Sequence, residues 1–164
     1  MIDPNKLPNP YAYISEPLTG RSDIKAIKAF CYRIADVCCS TGIYPYLPFE
    51  HTDPVKDADV SPATVFSLDK QLTVGASVDI FYLPGPGQGS FGVGSELVFA
   101  ATARKPMAIL IRTGTTLDKF EQGFLDVEVR EGKRGPIIEF SNDDETRALG
   151  ELAQFLSSSV QAQL

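Results

Sequence analysis

The segment at residues 84–94 is rich in glycine and combines residue types that suit a bound anion. It contains five glycines and follows an apolar stretch at 78–83 that is typical of a buried strand. Glycine lets a backbone approach a ligand closely, and a helix predicted to begin near Gly94 or Ser95 would direct free amides at an anion. A plain strand-to-helix loop is the alternative, because the segment is neither a Walker loop nor a dinucleotide fingerprint in its usual place. The candidate ligand-binding residues here are Ser90, Gly92 and Gly94.

Glu96 is a carboxylic residue at the start of the helix that follows this glycine-rich segment. We place it in the predicted first turn, where local amides and the helix dipole are expected to keep its carboxyl ionised. An ionised carboxylate beside a bound sugar can attack the anomeric carbon. The alternative is a glutamate that only improves the capping of the helix. A second carboxyl nearby favours the chemical interpretation.

Asp69 supplies that second carboxyl, at the edge of the apolar stripe of the helix before the 78–83 strand. Displacement at a glycosidic carbon often uses two carboxyl groups, one as the nucleophile and one that moves protons or positions the sugar. A solvated helix position explains Asp69 equally well from spacing alone. Tyr13, on the first predicted strand, could orient Glu96 or serve as a core aromatic residue. Asp79, in an apolar strand, needs a hydrogen-bond partner and is either structural or part of the pocket.

The sequence predicts neither a metal site nor a cofactor. His51 is the only histidine, and a lone histidine in a proline-containing loop is more typical of the surface than of an acid–base pair with Asp53. Contact between this loop and a ligand hydroxyl or phosphate stays an alternative. The cysteines lie on one predicted helix and suit small buried apolar groups in a reducing compartment. They are Cys31, Cys38 and Cys39.

Strands that alternate with helices must position these residues. Strands are predicted at 12–18, 43–49, 78–83, 107–111, 124–129 and 137–140. Helices are predicted after Ser22, after Ser61-Pro62, near Gly94, at 116–122 and after Asn142 or Asp143. The pattern predicts an α/β fold of the flavodoxin-like (Rossmann-like) kind. Its mostly parallel five-stranded sheet has the order 2-1-3-4-5 and helices on both faces. Ligands bind such sheets at the carboxyl ends of the strands, where the order reverses. The loops at 16–20 and 84–94 meet there, which adds the substrate-binding candidates Ser15, Glu16 and Gly20.

Length and charge restrict the class of protein. The chain has 164 residues and a net charge of −6, which argues against a non-specific nucleic-acid binder. No apolar run is long enough to span a membrane, and the first ten residues do not form a signal peptide. We expect a cytoplasmic protein with one domain over 1–164, in which 1–10 is an extended N-terminal tail.

The segment 89–97 carries a resemblance to a known family. It reads Gly-Ser-Phe-Gly-Val-Gly-Ser-Glu-Leu and is followed by Lys105-Pro106 before the next strand. This arrangement resembles the nucleoside 2-deoxyribosyltransferase superfamily, which includes the 2'-deoxynucleoside 5'-phosphate N-hydrolases and the hydroxymethyl-CMP hydrolases. The stretch 13–20 is similar to the family's first strand and its Gly-Pro turn. The resemblance covers roughly 13–112.

The resemblance implies a function and a set of roles. The family's nucleophilic glutamate falls on Glu96, its helix aspartate on Asp69 and its phosphate-contacting serine on Ser90. Activity would then be retaining cleavage of an N-glycosidic bond, by a hydrolase or a transferase, through a covalent glycosyl-Glu96 intermediate with Tyr13 orienting Glu96. Glu16 replaces a family glycine and would crowd or repel a phosphate, which favours an unphosphorylated nucleoside or a different ligand. The resemblance also implies a homodimer or larger homo-oligomer whose neighbouring subunit completes the pocket.

Two other interpretations stay open. The first is a non-catalytic nucleotide-binding sensor or interaction module that uses the same pocket. The second is a phosphoribohydrolase of the lysine-decarboxylase-like group, whose Pro-Gly-Gly-x-Gly-Thr-x-x-Glu motif is loosely similar to 84–96. That group's glycine-rich first-strand motif is missing from this sequence.

Overall fold

The computed structural model describes residues 3–18, 20–51, 59–86 and 91–161, which form an α/β fold around one parallel sheet. The sheet has five strands in the order β2-β1-β3-β4-β5. The predicted fold class and strand order are confirmed. The strands are β1 Tyr11–Ser15, β2 Tyr44–Tyr46, β3 Val78–Leu83, β4 Met107–Arg112 and β5 Ile137–Phe140.

Helices cover both faces of the sheet. On one face α1 and α6 bury a stripe that includes Ile34 and Leu152 against Ile14 and Ile80. On the other face α3 and α4 cover the side chains of alternate strand residues. The helices are α1 Ile24–Ser40, α2 Pro48–His51, α3 Pro62–Gly75, α4 Phe91–Thr102, α5 Lys119–Phe124 and α6 Glu145–Gln161.

Shorter helical pieces join these elements. Two 3-10 turns, Pro4–Lys6 and Asn142–Asp144, lie near the start of the chain and before α6. The N-terminal turn shows that residues 1–10 are not wholly extended, and Leu7 packs against the apolar cluster under α3. A π-helical stretch, Leu125–Glu131, continues directly from α5.

The predicted strand at 124–129 is wrong, because this stretch is helical. Its valines alternate with charged residues, which is typical of a strand. The buried residues, however, are Leu125 and Val129, four positions apart on one helix face, whereas Val127 is 55% exposed. An ion pair between Asp126 and Arg130, also four apart, supports the helix.

Several other predicted boundaries also move. The strand predicted at 43–49 is reduced to β2, since Pro48 occupies the first position of the short helix α2. Asp23, not Ser22, is the residue that precedes α1. Helix α4 begins at Phe91, three residues before Gly94, so that the glycines at its start are helical. Ser61 does cap α3, where its side chain accepts a hydrogen bond from the Thr64 amide.

Candidate active site

The carboxyl of Glu96 is held by two hydroxyl groups of β1. The Tyr13 hydroxyl donates a hydrogen bond of 2.7 Å to Glu96 Oε1, and the Ser15 hydroxyl donates to Oε2. Tyr13 and Ser15 are two residues apart on one strand, so their side chains point to the same face. Helix α4 packs on this face through Val93 and Ala100. The contact therefore joins the carboxyl-terminal half of β1 to α4.

Burial, not the helix terminus, controls the ionisation of Glu96. Because α4 begins at Phe91, Glu96 lies in its second turn, and the prediction that first-turn amides keep it ionised is wrong. Desolvation raises its pKa from 4.5 to about 7. Hydrogen bonds from Ser15 and Tyr13 oppose that rise, and the nearby Asp69 carboxyl adds to it. At neutral pH the group is poised between its two protonation states.

Asp69 is the neighbouring carboxyl that α3 contributes. Helix α3 packs through Leu68 and Leu72 in the same apolar cluster as Tyr13. Contact between Phe66 and Phe99, with ring centroids 5.6 Å apart, joins α3 to α4. The Asp69 Oδ1 atom is buried without a hydrogen-bond partner among the described residues. Desolvation raises the pKa of Asp69 to about 6, and a hydrogen bond with Tyr13 opposes the rise.

Tyr13 sits between the two carboxyls. It is fully buried, and burial together with the Glu96 and Asp69 charges raises its pKa well above 10. The phenol therefore keeps its single proton and serves as a donor. The sequence allowed two interpretations of Tyr13, a core aromatic residue or a residue that orients Glu96. Its ring is part of the core and its hydroxyl contacts Glu96.

Glu16 follows Ser15 and brings a third carboxyl to the end of β1. Its Oε2 atom is buried and has no hydrogen-bond partner among the described residues. Desolvation and the Glu96 charge raise its pKa well above 4.5, while Lys28 opposes them. In its neutral form Glu16 does not exert the repulsion on a phosphate that an ionised side chain would.

Asp79 lies deeper on the same face of the sheet. It is 0% exposed and pairs in register with Tyr13, and neither carboxyl oxygen has a partner in the described parts of the chain. Desolvation raises its pKa well above 3.8, and Lys105 opposes the rise. A neutral buried acid fits this environment. Access to a substrate would require the residues above it to move, and its role as a substrate contact stays a prediction.

The remaining candidates lie around this centre. Gly20 is exposed, with a φ of +75° in the turn after β1. Gly92 and Gly94 belong to the first turn of α4 and not to a loop, and both are exposed. Ser15 is only 1% exposed and its hydroxyl is directed at Glu96. Ser90 and Asp53 lie outside the described residues.

Sequence reasoning did not identify an aromatic stack behind Tyr13. The Tyr46 ring stacks on Tyr13 with a centroid separation of 5.8 Å, and His51 stacks on Tyr46 at 4.9 Å. His51 is thus half-buried, contrary to the expected surface position. Pairing of β2 with β1 places Tyr46 directly beside Tyr13, but no spacing in the sequence signals that register.

Arg21 joins the two loops at the point where the strand order reverses. Its side chain is 7% exposed and pairs through two nitrogens with Asp23. A third nitrogen donates a hydrogen bond of 2.7 Å to the Pro86 carbonyl oxygen. The loop after β1 is therefore fastened to the loop that leads from β3 toward α4. No motif in the sequence indicated this link.

A large cavity of about 820 Å³ opens at the same edge of the sheet. Its lining is mainly apolar and comes from α3, α4, α5 and the loops after β1, β3 and β4, whereas Glu96, Asp69 and Tyr13 do not line it. Its lining includes Arg21, Phe66, Leu97, Phe99, Phe120 and Phe124.

The described residues contain neither a cluster suited to a metal ion nor a helix that could span a membrane. Within 3–18, 20–51, 59–86 and 91–161, no three histidine, cysteine, aspartate or glutamate side chains are placed to hold a metal ion. Over the same parts of the chain, no helix has both the length and the apolar character that crossing a membrane requires.

Comparison with known proteins finds similarity in structure only. No protein-family profile matches the sequence, and no curated protein matches it. The structure of the Clostridium botulinum CMP N-glycosidase BcmB matches with a TM-score of 0.60 at 12% identity, over 88% of this chain and 98% of that one. The solution structure of BlsM matches with a TM-score of 0.63 at 17% identity, over 92% and 91%. A conserved protein from Enterococcus faecalis matches with a TM-score of 0.55 at 18% identity, over 90% and 97%.

At these identities the similarity establishes a shared fold. The chain is an α/β protein of flavodoxin-like topology, and its cluster of carboxyl and hydroxyl groups lies toward the carboxyl end of strand β1, where the strand order reverses. A CMP N-glycosidase has the same fold over nearly all of its length. Fold alone does not define function, so the activity has to be argued from the site.

Proposed function

We propose that this protein cleaves the N-glycosidic bond of a nucleoside or nucleotide through a covalent glycosyl intermediate on Glu96. The observation that carries the proposal is the convergence of the Tyr13 and Ser15 hydroxyls on the Glu96 carboxyl, with Asp69 beside it. Two donors on one carboxyl stabilise its ionised form and fix its orientation. Such an arrangement suits a nucleophile.

The reaction would follow double displacement. A Glu96 carboxylate oxygen forms a bond to C1' while the bond from C1' to the base nitrogen breaks, and the bond's electron pair leaves with the base. In a hydrolase, water then attacks C1', Glu96 departs as a carboxylate, and a nearby carboxylate takes up the proton. In a transferase, a second base replaces water. Asp69 is proposed to move protons or to position the sugar, and Tyr13 to hold Glu96.

We propose that the protein acts on a small-molecule substrate, that it is located in the cytoplasm and that it forms a homo-oligomer. Ser90, Gly92 and Gly94 are proposed to contact the 5' end of the substrate, and Gly20 the same edge of the pocket. Neither a metal nor a cofactor is needed for the proposed steps. Support for a nucleotide as substrate class comes from the fold shared with a CMP N-glycosidase.

A base-release assay tests the proposal directly. Purified protein is incubated with nucleosides, 2'-deoxynucleosides and their 5'-monophosphates, and free base is measured by liquid chromatography. We expect base release from at least one class and its reduction to the level without protein in Glu96→Gln. Glu131→Gln is the matched control, because Glu131 is exposed in the π-helical stretch. Full activity in Glu96→Gln would remove Glu96 as the nucleophile.

The large cavity favours a second candidate, a nucleotide-binding module without catalysis. A ligand within its 820 Å³ would contact Arg21, Phe66 and Phe99, and the cavity lining does not include Glu96. Calorimetric binding of a nucleotide, unchanged in Glu96→Gln and without release of base, would favour this candidate. Adding a second free base as acceptor to the assay separates a transferase from such a module.

A further inference from the structure

A basic pocket lies at the edge of the sheet opposite to the Glu96 cluster. It has a volume of about 640 Å³ and is formed by the turns that precede β4 and β5, together with the C-terminal part of α6. Because all strands are parallel, these turns lie at the amino ends of the strands, whereas Glu96 contacts the carboxyl-terminal half of β1. Among the described residues that line the pocket, four are cationic and none is acidic. They are Arg104, Lys105, Lys133 and Arg134.

Two of these cations have a backbone conformation that residues with a side chain rarely adopt. Arg104 has a φ of 56° and Lys133 a φ of 51°. In the described parts of the chain, they are the two residues other than glycine that have a positive φ. This left-handed region brings Cβ close to the following carbonyl oxygen, a clash that glycine avoids. The chain therefore keeps a side chain at both positions at a cost in stability.

Both residues follow a helical stretch, and the end of α1 provides a comparison. In all three places the amide of the left-handed residue donates to the carbonyl oxygen three residues earlier, and the next amide donates to the one five residues earlier. This is the Schellman motif, in which the left-handed position is usually glycine. Helix α1 follows that preference with Gly42, at a φ of 78°. The two endings that face the basic pocket have Arg104 and Lys133 in the same position instead.

Arg134 holds these two endings side by side. One guanidinium nitrogen donates a hydrogen bond of 2.7 Å to the Ala101 carbonyl oxygen near the end of α4, and another pairs with Glu128 at 2.9 Å. The Met107 amide donates a hydrogen bond of 3.0 Å to the Arg134 carbonyl oxygen, which joins the start of β4 to the turn before β5. Arg134 is thus a structural link whose charge is already paired.

Arg104 and Lys133 are the cations that remain available to a ligand. Both side chains are exposed, and neither forms an ion pair with a described residue. Lys105 is half-buried, and its charge also acts on Asp79. The serine hydroxyls of α6 that line the pocket donate to carbonyl oxygens of their own helix, so they are not the donors for an anion. Recognition of an anion here would depend on Arg104 and Lys133.

Charge and shape favour a small phosphate compound over a polymer. Guanidinium and ammonium groups bind phosphate oxygens, and two linked phosphates can contact two cations at once. The chain has a net charge of −6, so the surface outside the pocket would repel a nucleic acid or an anionic membrane. A pocket of about 640 Å³ is in the size range of small-molecule sites.

We propose that this pocket binds a small molecule with two or more linked phosphates, through Arg104 and Lys133. It is a second binding site, separate from the Glu96 cluster, and the inference does not rest on the proposed function. The competing explanation is that the two cations only stabilise the helix ends, where carbonyl oxygens attract positive charge. That explanation predicts an effect on stability and none on binding.

Isothermal titration calorimetry with inorganic tripolyphosphate tests the proposal. This probe has neither base nor sugar, so it measures recognition of the phosphates alone. We expect saturable binding with one site per chain. Arg104→Gly/Lys133→Gly should weaken it by about tenfold or more, as expected when hydrogen bonds to charged groups are lost. Arg104→Gln/Lys133→Gln keeps a side chain at each position without the charge and should weaken binding as much.

Matched controls separate this site from general electrostatics and from the Glu96 cluster. Lys25→Gln/Lys119→Gln removes the same charge from exposed positions that do not line the pocket, and it should bind as the wild type does. Glu96→Gln should also bind as the wild type does. Thermal melting should show the glycine double variant folded and no less stable than the wild type, because the left-handed strain is removed.

A second titration distinguishes two sources of the phosphate groups. Adenosine triphosphate is titrated into Glu96→Gln, alone and after saturation with tripolyphosphate. Competition between the two with tighter binding of the nucleotide would support an organic ligand that also contacts Pro106 and Phe155, which line the pocket. Competition with weaker binding of the nucleotide would support an inorganic polyphosphate.

Several outcomes would overturn the inference. The wild type could fail to bind tripolyphosphate, or the glycine double variant could bind it as tightly as the wild type, which would leave the two cations a role in the helix ends alone. An equal loss in the Lys25 and Lys119 control would mean non-specific attraction, and a loss in Glu96→Gln would place the anion at the Glu96 cluster. Tighter binding of a single-stranded DNA oligonucleotide, not displaced by tripolyphosphate, would indicate a nucleic-acid surface. Base release is measured separately, so none of these results decides the proposed function.

Discussion

At the scale of single residues, the site combines hydrogen bonds that favour a charge with burial that opposes it. Tyr13 and Ser15 stabilise the Glu96 carboxylate, while desolvation keeps its pKa at about 7. Such a balance is common at catalytic carboxyls, where reactivity is retained at a cost in stability. The cost should be measurable in the free energy of unfolding.

Glu96→Gln should stabilise the protein, and the gain should grow with pH. In the folded state the pKa of Glu96 is raised from 4.5 to about 7. Its contribution to stability is therefore full below pH 4.5 and is lost as pH rises through about 7. At about 1.4 kcal/mol per pKa unit, the upper limit of the gain in the glutamine variant is about 3 kcal/mol above pH 7.

Urea denaturation at acidic and at mildly alkaline pH checks this prediction. Wild type, Glu96→Gln and the exposed control Glu131→Gln are compared under identical conditions. The control should follow the wild type at every pH. A glutamine variant that is less stable than wild type above neutral pH would mean that the two hydroxyl donors more than offset the burial of the charge.

At this scale, the sequence was most informative about which residues belong to the site, because their chemical types alone identified them as candidates. The candidates Glu96, Asp69 and Tyr13 do come together in space, and their catalytic roles stay predictions. The ionisation of Glu96 could not be predicted from sequence because it depends on how tertiary packing buries the carboxyl. The low helix propensity of Gly92 and Gly94 favours a loop. Both residues are nevertheless helical, because Val93 between them packs into the core under α4.

At the scale of elements, Arg21 connects two loops that the sequence describes separately. Its guanidinium bridges Asp23, which precedes α1, and the Pro86 carbonyl oxygen, beyond β3. The planar fork of arginine suits such a bridge, because several donors are held at fixed angles. We infer that Arg21 restrains the path from β3 into α4 and hence the position of Glu96.

Arg21→Met should loosen this connection without unfolding the protein. The carbonyl oxygen of Pro86 loses its donor, so amide hydrogen exchange should become faster at Gly85, which alone among residues 84–86 has an amide hydrogen, and in the first turn of α4. Exchange in β4, which is buried between β3 and β5, should be unchanged. Arg130→Met is the control, since Arg130 pairs with Asp126 on an exposed helix surface. Unaltered exchange at Gly85 and in the first turn of α4 would show that Arg21 does not restrain this loop.

Strands and helices were predicted well where the apolar residues of the segment followed a single periodicity. The bounds of β3 agree with the predicted 78–83, and α3 begins at the predicted Ser61-Pro62 signal. Prediction failed for the stretch after α5, since alternating valines and charges fit a strand while tertiary packing of Leu125 and Val129 selects a helix. A short pattern cannot by itself decide between these periods.

At the scale of the whole molecule, the order of the strands brings the site residues of β1, α3 and α4 together. β1 lies between β2 and β3, so the chain reverses direction across the sheet at β1. Loops from both halves then diverge at its carboxyl end and leave a crevice. Tyr13 and Ser15 lie on this strand, and the helices that carry Asp69 and Glu96 pack over it. The topology explains why residues 83 positions apart can form one hydrogen bond.

The remaining whole-molecule prediction is self-association. The resemblance to the nucleoside 2-deoxyribosyltransferase superfamily implies a homodimer or larger homo-oligomer. Several large apolar side chains are exposed to solvent, which is consistent with a surface that is covered in solution. Among them are Phe66 on α3, Val98 on α4 and Phe120 on α5, the last at 75% exposure.

Sedimentation velocity from micromolar to submillimolar protein should give at least twice the chain mass of 17.8 kDa. Because apolar contacts are little screened by ions, the mass should not fall when salt is added. A species at the single-chain mass over the whole concentration range would contradict the prediction. The pocket would then have to function with residues from one chain alone.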